Sequence, residues 1–404
     1  MGESVSGRAG GEGRPDFRSR EFLLGHIRHT LSFYDPRALD ARGGFFHCYM
    51  NDGTVFDPGL RTLVASCRFV FNYAKAYRLF GEPEYLSRVR HGVDFLRRAH
   101  RDPAGGGYAW RLRDGRVEDA TNHCYGLAFA LLAYACAFEA GVDAAGEWIG
   151  ETFDLMERRF WLPEHGLYAN QADADWTLSP YRGQNDNMHA CEAAIAAFEA
   201  TGDARYLDRA CLVAENIARR RADGANGYIL EHYKPDWSVD HEYARGDRSN
   251  HMRPWGVQTG HQTEWAKLLF DLERHRPADW RLPRARELFD RAVEHGWDAR
   301  RGGLIHAFAP GDGAAWDEDR YFWVQAESLA AAAVLGAWSG DEKYWTWYDR
   351  IWDYAYRCFV DHEYGAWYRI LTPDNRRYDD RKSYNNKADY HTMGACHEAL
   401  KVIR

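Results

Sequence analysis

The sequence has no Cys-x-x-Cys pair, no His-Glu-x-x-His, no Asp-rich cluster and no uninterrupted apolar run near the ~18 residues that a membrane span requires. The eight cysteines, at 48, 67, 124, 136, 191, 211, 358 and 396, are scattered through Ala-, Leu- and Tyr-rich helical text. They read as buried reduced thiols of a cytoplasmic protein rather than as a disulfide framework. With a formal charge of -8 and no basic stripe, nucleic-acid binding is not expected. Residues 1–15, MGESVSGRAGGEGRP, lack the apolar core of a signal peptide and are Gly-rich and polar. They are expected to form a disordered tail ahead of one domain over residues 16–404. The match of Met1-Gly2 to Ser6 with a lipidation pattern is short and degenerate, and is read as chance. A soluble protein is expected, monomeric or homodimeric, with a small molecule as its partner and no membrane attachment.

Apolar residues make up 45% of the chain and aromatics 15%, enough for a large core. A length of 404 residues suits two or three average domains or one large barrel built from repeats. The repeats decide. A phrase in which a turn residue leads into Gly and then an aromatic or aliphatic pair recurs six times: LDARGGFFHCY, RDPAGGGYAW, LPEHGLYAN, ADGANGYILEHY, DARRGGLIHAF and DHEYGAWYRI. Anchored on Gly44, Gly107, Gly166, Gly227, Gly303 and Gly365, the copies stand 63, 59, 61, 76 and 62 residues apart.

Each unit holds two helical segments. One is charged and amphipathic, as in DARYLDRACLVAENIARRR or EKYWTWYDRIWDYAYRCF, and follows a Gly-Asp or Gly-Glu turn. The other is apolar on every side, as in TNHCYGLAFALLAYACAF or ESLAAAAVLGAW. Six such hairpins predict an all-α (α/α)6 barrel with the apolar helices as an inner ring; an open solenoid is the alternative, and has less need of helices apolar all round.

Inner helices of such a barrel run in parallel, so their starts converge on one mouth. Polar residues gather at that phase in every unit: Arg61; Asn122 and His123; Asn185, His189 and Glu192; His261 and Glu264; Gln325 and Glu327; His391. Singly, each is an ordinary cap or core residue, and Glu in a first turn suits the helix dipole. Jointly they predict a shared polar pocket. Trp110, Trp176, Trp255, Trp265, Trp316, Trp323 and Tyr390 lie close by; most serve packing, and some, Trp323 among them, offer a flat face to a sugar ring.

Three chemistries compete for such a pocket. The His189/Glu192 and His261/Glu264 pairs, three residues apart, can ligate a metal from one helix face, but lack the usual companion motifs. Glu264 and Glu327 can act as the two carboxylates of a glycoside hydrolase, which leaves His261 and His391 without a role. Proton shuttling beside a sugar carbonyl uses histidines, whose ordinary pKa of ~6.5 lets them take and return a proton. The resulting enediolate calls for a cation and hydrogen-bond donors, and Arg61, Asn185 and His189 suit that need.

The motifs RTLVASCRFVFNYAKAY, GQNDNMHACEAAIAAFEATGD, RPWGVQTGHQTEWAKLL and KADYHTMGACHEAL resemble those of the N-acylglucosamine 2-epimerase superfamily, and within it the D-mannose isomerase and related aldose–ketose isomerase branch. The resemblance spans residues 20–404. It implies the same barrel, a monosaccharide substrate and chemistry without metal or cofactor. It also implies acid/base roles for His261 and His391, a substrate-holding Arg61, an Asn185/His189 pair, and supporting glutamates at Glu264 and Glu327. A second family arginine maps to Arg253, with Arg248 as rival. Glu264, one helical turn from His261, is expected to orient that ring. The same two histidines serve 2-epimerisation, so isomerase and epimerase both stand at this point. The long loop 231–254 accounts for the interval of 76 and is either a lid or a surface insertion.

Overall fold

The computed structural model describes residues 14–248, 250 and 253–403. Among them are twelve α-helices in chain order: α1 (Arg20–Tyr34), α2 (Leu63–Phe80), α3 (Pro83–Phe95), α4 (Cys124–Glu139), α5 (Ala145–Arg159), α6 (Gln184–Thr201), α7 (Ala204–Ala214), α8 (Thr259–His275), α9 (Arg281–Gly296), α10 (Phe322–Ser339), α11 (Glu342–Cys358) and α12 (Tyr390–Val402). Each even-numbered helix packs on the next, and α12 returns to α2, which closes an inner ring. The odd-numbered helices lie outside, α3 on α2 and so on round to α1 on α12. This is the (α/α)6 barrel that the repeats predict, and closure excludes the solenoid. Of the tail expected at residues 1–15, residues 1–13 lie outside the described residues, while Arg14 donates to the Asp349 carbonyl of α11 at 3.0 Å.

Composition explains which helix goes where. Helix α10 is buried from Phe322 to Gly336 except at Trp323, and Ala330 to Ala333 let its neighbours approach closely. Each Leu or Val buried along it, such as Leu329 and Val334, contributes about 1.5–3 kcal/mol. Helix α11 instead buries only the stripe Tyr344, Tyr348, Ile351, Trp352, Tyr354 and Ala355 and turns its charges outward. Between the rings the chain reverses abruptly: α6 and α10 end at Gly202 and Gly340 in the left-handed region (φ 73 and 66), and the next residues, Asp203 and Asp341, cap α7 and α11. Such a cap is worth about 1 kcal/mol. All eight thiols are free. No helix among the described residues is long and apolar enough to cross a membrane.

The Gly-anchored phrases form a crown of short antiparallel strand pairs at the end where the inner helices begin. Residues just before an inner helix pair with the hairpin of the following unit, as Val257 with Phe308 and Arg320 with Leu371. Tyr49–Met50 pairs with Arg381–Ser383, joining the first unit to the last. A side-chain amide reinforces four of the six hairpins. Asn187 clamps both backbone groups of Tyr168 (2.8 and 3.0 Å), Gln262 those of Ile229 (3.0 and 2.8 Å) and Gln325 those of Leu304 (2.9 and 2.8 Å). Asn122 accepts from the Tyr108 N–H at 3.2 Å in the same manner. The recurrence of polar residues at this phase therefore has two origins. Asn122 and Gln325 satisfy hairpin backbone that would otherwise be buried without partners, whereas Asn185, His189, His261, Glu264 and His391 line the mouth.

Candidate active site

A cavity of about 990 Å³ opens at the mouth, lined by Arg68, Tyr125, Asn185, His189, His261, Glu264, Phe322, Trp323 and His391 from all six inner helices, and by Asn250, Tyr378, Arg381 and Asn385 from the crown. Of the residues singled out in the sequence, it brings together His261, His391, Asn185, His189, Glu264 and Trp323. Glu327 stands directly behind His391.

His261 and His391 begin α8 and α12 and flank one indole, that of Trp323, at ring-centroid distances of 5.0 and 5.9 Å. Each ring is anchored through Nδ1 to a carboxylate. His391 Nδ1 lies 2.6 Å from Glu327 Oε1, and its Nε2 receives an Arg68 N–H at 3.3 Å. Burial, and then the charge of Arg68, lower the pKa of His391 well below the ordinary value, so the ring is neutral. A neutral ring facing a carboxylate at Nδ1 carries its proton there, which leaves the Nε2 lone pair toward the cavity.

His261 Nδ1 lies 2.9 Å from Glu231 Oε2 and 3.0 Å from Gln184 Nε2. The amide orientation is fixed by Trp265, whose indole N–H can only donate and reaches Gln184 Oε1 at 2.7 Å. The amide NH2 therefore faces Glu231, to which it also donates at 3.0 Å. Burial raises the Glu231 carboxyl, but the His261 ring and the Gln184 amide outweigh it and hold the group below its usual range. The residue that orients His261 is thus Glu231, not Glu264. One helical turn along α8 places Glu264 deeper on the same face, out of reach of its predicted partner.

Glu264 is 1% exposed, and neither carboxyl oxygen has a hydrogen-bond partner among the described residues. Burial and the neighbouring Glu327 raise its pKa well above the ordinary value, so it is a neutral acid able to donate. His189 holds Glu192 through Nδ1 at 2.9 Å, its Nε2 lying 4.0 Å from Glu264. The Asn185 Oδ1 atom is likewise without a partner among the described residues.

Two sequence expectations are corrected outright. Arg61 does not reach the cavity: its side chain turns outward from the strand before α2, pairs with Asp40 at 2.6 Å and donates to the Pro58 and Leu60 carbonyls. The arginine that an inner helix brings into the pocket is Arg68, seven residues further on and within α2. It is stacked over the Phe129 and Tyr390 rings at 4.6 and 4.8 Å and donates to Tyr125 Oη at 3.2 Å. Arg253 also lies off the cavity, over the Tyr181 ring at 3.8 Å and hydrogen-bonded to Gln171 at 2.9 Å. Its rival Arg248 stands over Trp316 at 4.7 Å.

Donor atoms of His189, Glu192 and Glu264, and of Glu264, Glu327 and His391, lie within 4.8 Å of one another, close enough to consider a metal. Yet both oxygens of Glu192 already accept, from His189 and Tyr390, and both of Glu327, from His391 and Lys267. Only Glu264 retains free oxygens, so each group offers one neutral carboxyl and one imidazole nitrogen, a poor metal donor set.

Residues 44–395 match the family described as N-acylglucosamine 2-epimerase (GlcNAc 2-epimerase). The chain belongs to this family. It is 49% identical to the D-mannose isomerase of Marinomonas mediterranea over 96% of its own length and 99% of the relative's. A D-mannose isomerase of Thermobifida fusca is 38% identical over 78% of each chain. A solved D-mannose isomerase crystal structure superimposes with a TM-score of 0.95 at 49% identity, covering 96% of this chain and all of that one.

Proposed function

We propose that the chain interconverts D-mannose and D-fructose by histidine-mediated proton transfer through a cis-enediolate. It is an aldose–ketose isomerase, as its resemblance in sequence and fold to D-mannose isomerases over nearly the full chain indicates. The observation that carries the mechanism is the pair of imidazoles across Trp323, both anchored through Nδ1 to carboxylates. Both Nε2 atoms then face one cavity without a proton of their own, that of His391 beside the Arg68 guanidinium. One takes the C2 proton of the open-chain aldose and returns it to C1, while the other serves the oxygen-bound protons. Arg68 and neutral Glu264 supply a charge and a donor for the enediolate oxygens, and Asn185 and His189 hold hydroxyls. Trp323 offers its face to the carbon skeleton.

The test is incubation with D-mannose in deuterated water, followed by NMR of the products. Fructose is the expected product, with deuterium at C1 in the fraction of turnovers in which the protonated imidazole exchanges with solvent before it returns the proton. Glucose would assign 2-epimerisation to the same histidines, and no turnover would overturn the catalytic reading. Activity undiminished by a chelator is expected of a site whose chemistry rests on imidazoles.

A further inference from the structure

Lys267 is buried on the inner helix α8, 6% exposed and six residues beyond His261. It also lines a second cavity of about 300 Å³ at the opposite end of the barrel, where Glu192, Glu327 and Tyr390 share the wall. Lys267 and these three residues are thus the floor between the two cavities. Its ammonium donates to Glu327 Oε2 at 2.6 Å and stands 4.0 Å from Glu192 Oε1. The other oxygen of each carboxylate holds a histidine: Glu327 Oε1 holds His391 Nδ1, and Glu192 Oε2 holds His189 Nδ1. One cation therefore serves two histidine tethers.

We propose that Lys267 is a positioning residue for the reaction: a single buried ammonium that balances the two carboxylates to which the cavity histidines His391 and His189 are tethered. The inference rests on the acid/base reading of His391 given above. The groups facing Lys267 are Glu264 and Asp271 on its own helix, Glu192 and His189 from α6, Glu327 from α10, and His391, Tyr390 and Glu398 from α12, with Arg68 of α2 beyond His391. Three carboxylates, Glu192, Glu264 and Glu327, thus crowd one pit with a single lysine among them. Like charges so close cannot all ionise. The geometry decides which do: Glu327 and Glu192, in reach of the ammonium, stay ionised, and Glu264, without a donor, takes the proton. An ionised Glu327 accepts the Nδ1 proton of His391 and keeps its Nε2 bare as the base. Without Lys267 the missing positive charge is made good by one proton from solvent, which neutralises Glu327; its acid hydrogen then points at Nδ1 and the imidazole proton sits on Nε2, which removes the base.

The test compares Lys267→Met and Lys267→Arg by the pH profile of kcat/KM for mannose and by 15N NMR of labelled histidine, the His391 signal being assigned by its loss in His391→Asn. Both Glu327 and His391 take up protons more readily without the neighbouring cation. In K267M the acid limb is therefore expected to move up by about one pH unit or more, with a rate loss greater at pH 6 than at pH 8.5. K267R should hold the limb in place. The NMR spectrum of the unsubstituted protein should give His391 as the Nδ1–H form, and K267M should shift it toward the Nε2–H form. A folded K267M whose limb and tautomer are both unchanged overturns the proposal, and so does an unsubstituted His391 already protonated at Nε2, a result that needs no variant to fold. If the protein instead fails to turn over mannose, the catalytic reading falls while the tautomer measurement still decides the charge role.

Discussion

The two histidine arms of the cavity are built alike in geometry and unlike in charge. On the α12 side, His391 leans on Glu327, and Glu327 leans on the ammonium of Lys267. On the α8 side, His261 leans on Glu231, whose second support is the neutral amide of Gln184, itself set by Trp265. Both arms leave Nε2 toward the cavity, so a tautomer can be fixed either by a buried ion pair or by a chain of neutral donors. The first solution needs exact charge matching deep in the core; the second needs only correct amide orientation.

Removal of either ring is the harshest test of the likeness. His391→Ala and His261→Ala are each expected to lower kcat/KM by about 10³-fold, with circular dichroism and gel filtration unchanged. Near-normal turnover in one of them would reduce the pair to a single catalytic arm. The carboxylates test the unlikeness. Glu327→Gln and Glu231→Gln should each cost about 10²-fold in kcat. Only Glu327→Gln should also lower stability, by about 3–5 kcal/mol in denaturant melts, because it leaves a buried ammonium without its counter-charge. Equal stability of the two variants would mean that Lys267 finds full compensation in Glu192.

The arginines give a smaller contrast. Arg68→Met should reduce kcat/KM by about 10²-fold in a protein that still melts cooperatively. Arg61→Met should leave the KM for mannose nearly unchanged and lower the melting temperature, since it takes the buried partner from Asp40, which keeps only the exposed Arg42, and the donor from the Pro58 and Leu60 carbonyls.

Histidines away from the cavity supply a pH signature. Burial lowers His26 to about 3, His100 to about 4 and His397 to about 3. The unfolded chain protonates these rings near pH 6.5 and the folded one does not. Their contribution is complete above pH 6.5 and is lost as the pH falls toward 4, by about 1 kcal/mol per ring per pH unit. Asp186 and Asp271, each raised by burial to about 6, act in the opposite sense between pH 6 and 4 and offset part of this. Melting temperatures measured from pH 7.5 to pH 5 should therefore decline.

The ring order, the closure and the shared mouth were legible in the sequence because they follow from a period and from residues apolar on every side. The two histidines were legible because they open inner helices. Arg61 misled because phase alone does not say which way a strand residue points; Arg68 sat in the same motif, two turns deeper, where a helix face aims it inward. Glu231 and Gln184 were not found. Glu231 follows a hairpin where no periodicity marks a side chain as inward, and Gln184 looks like any polar residue at a helix start. Glu264 was placed correctly in the pocket but given the wrong neighbour, since three residues along a helix is also a step of depth.

The amide clamps at the crown carry a lesson about change. Gln262 grips Ile229 just as Gln325 grips Leu304, although the unit between Gly227 and Gly303 is the longest of all and carries the extended loop. The helix starts are thus indexed beneath the rim, and whatever is spliced in above them leaves the index intact. A lineage can rewrite the rim, and with it the range of sugars admitted, while the reacting groups below stay where they are.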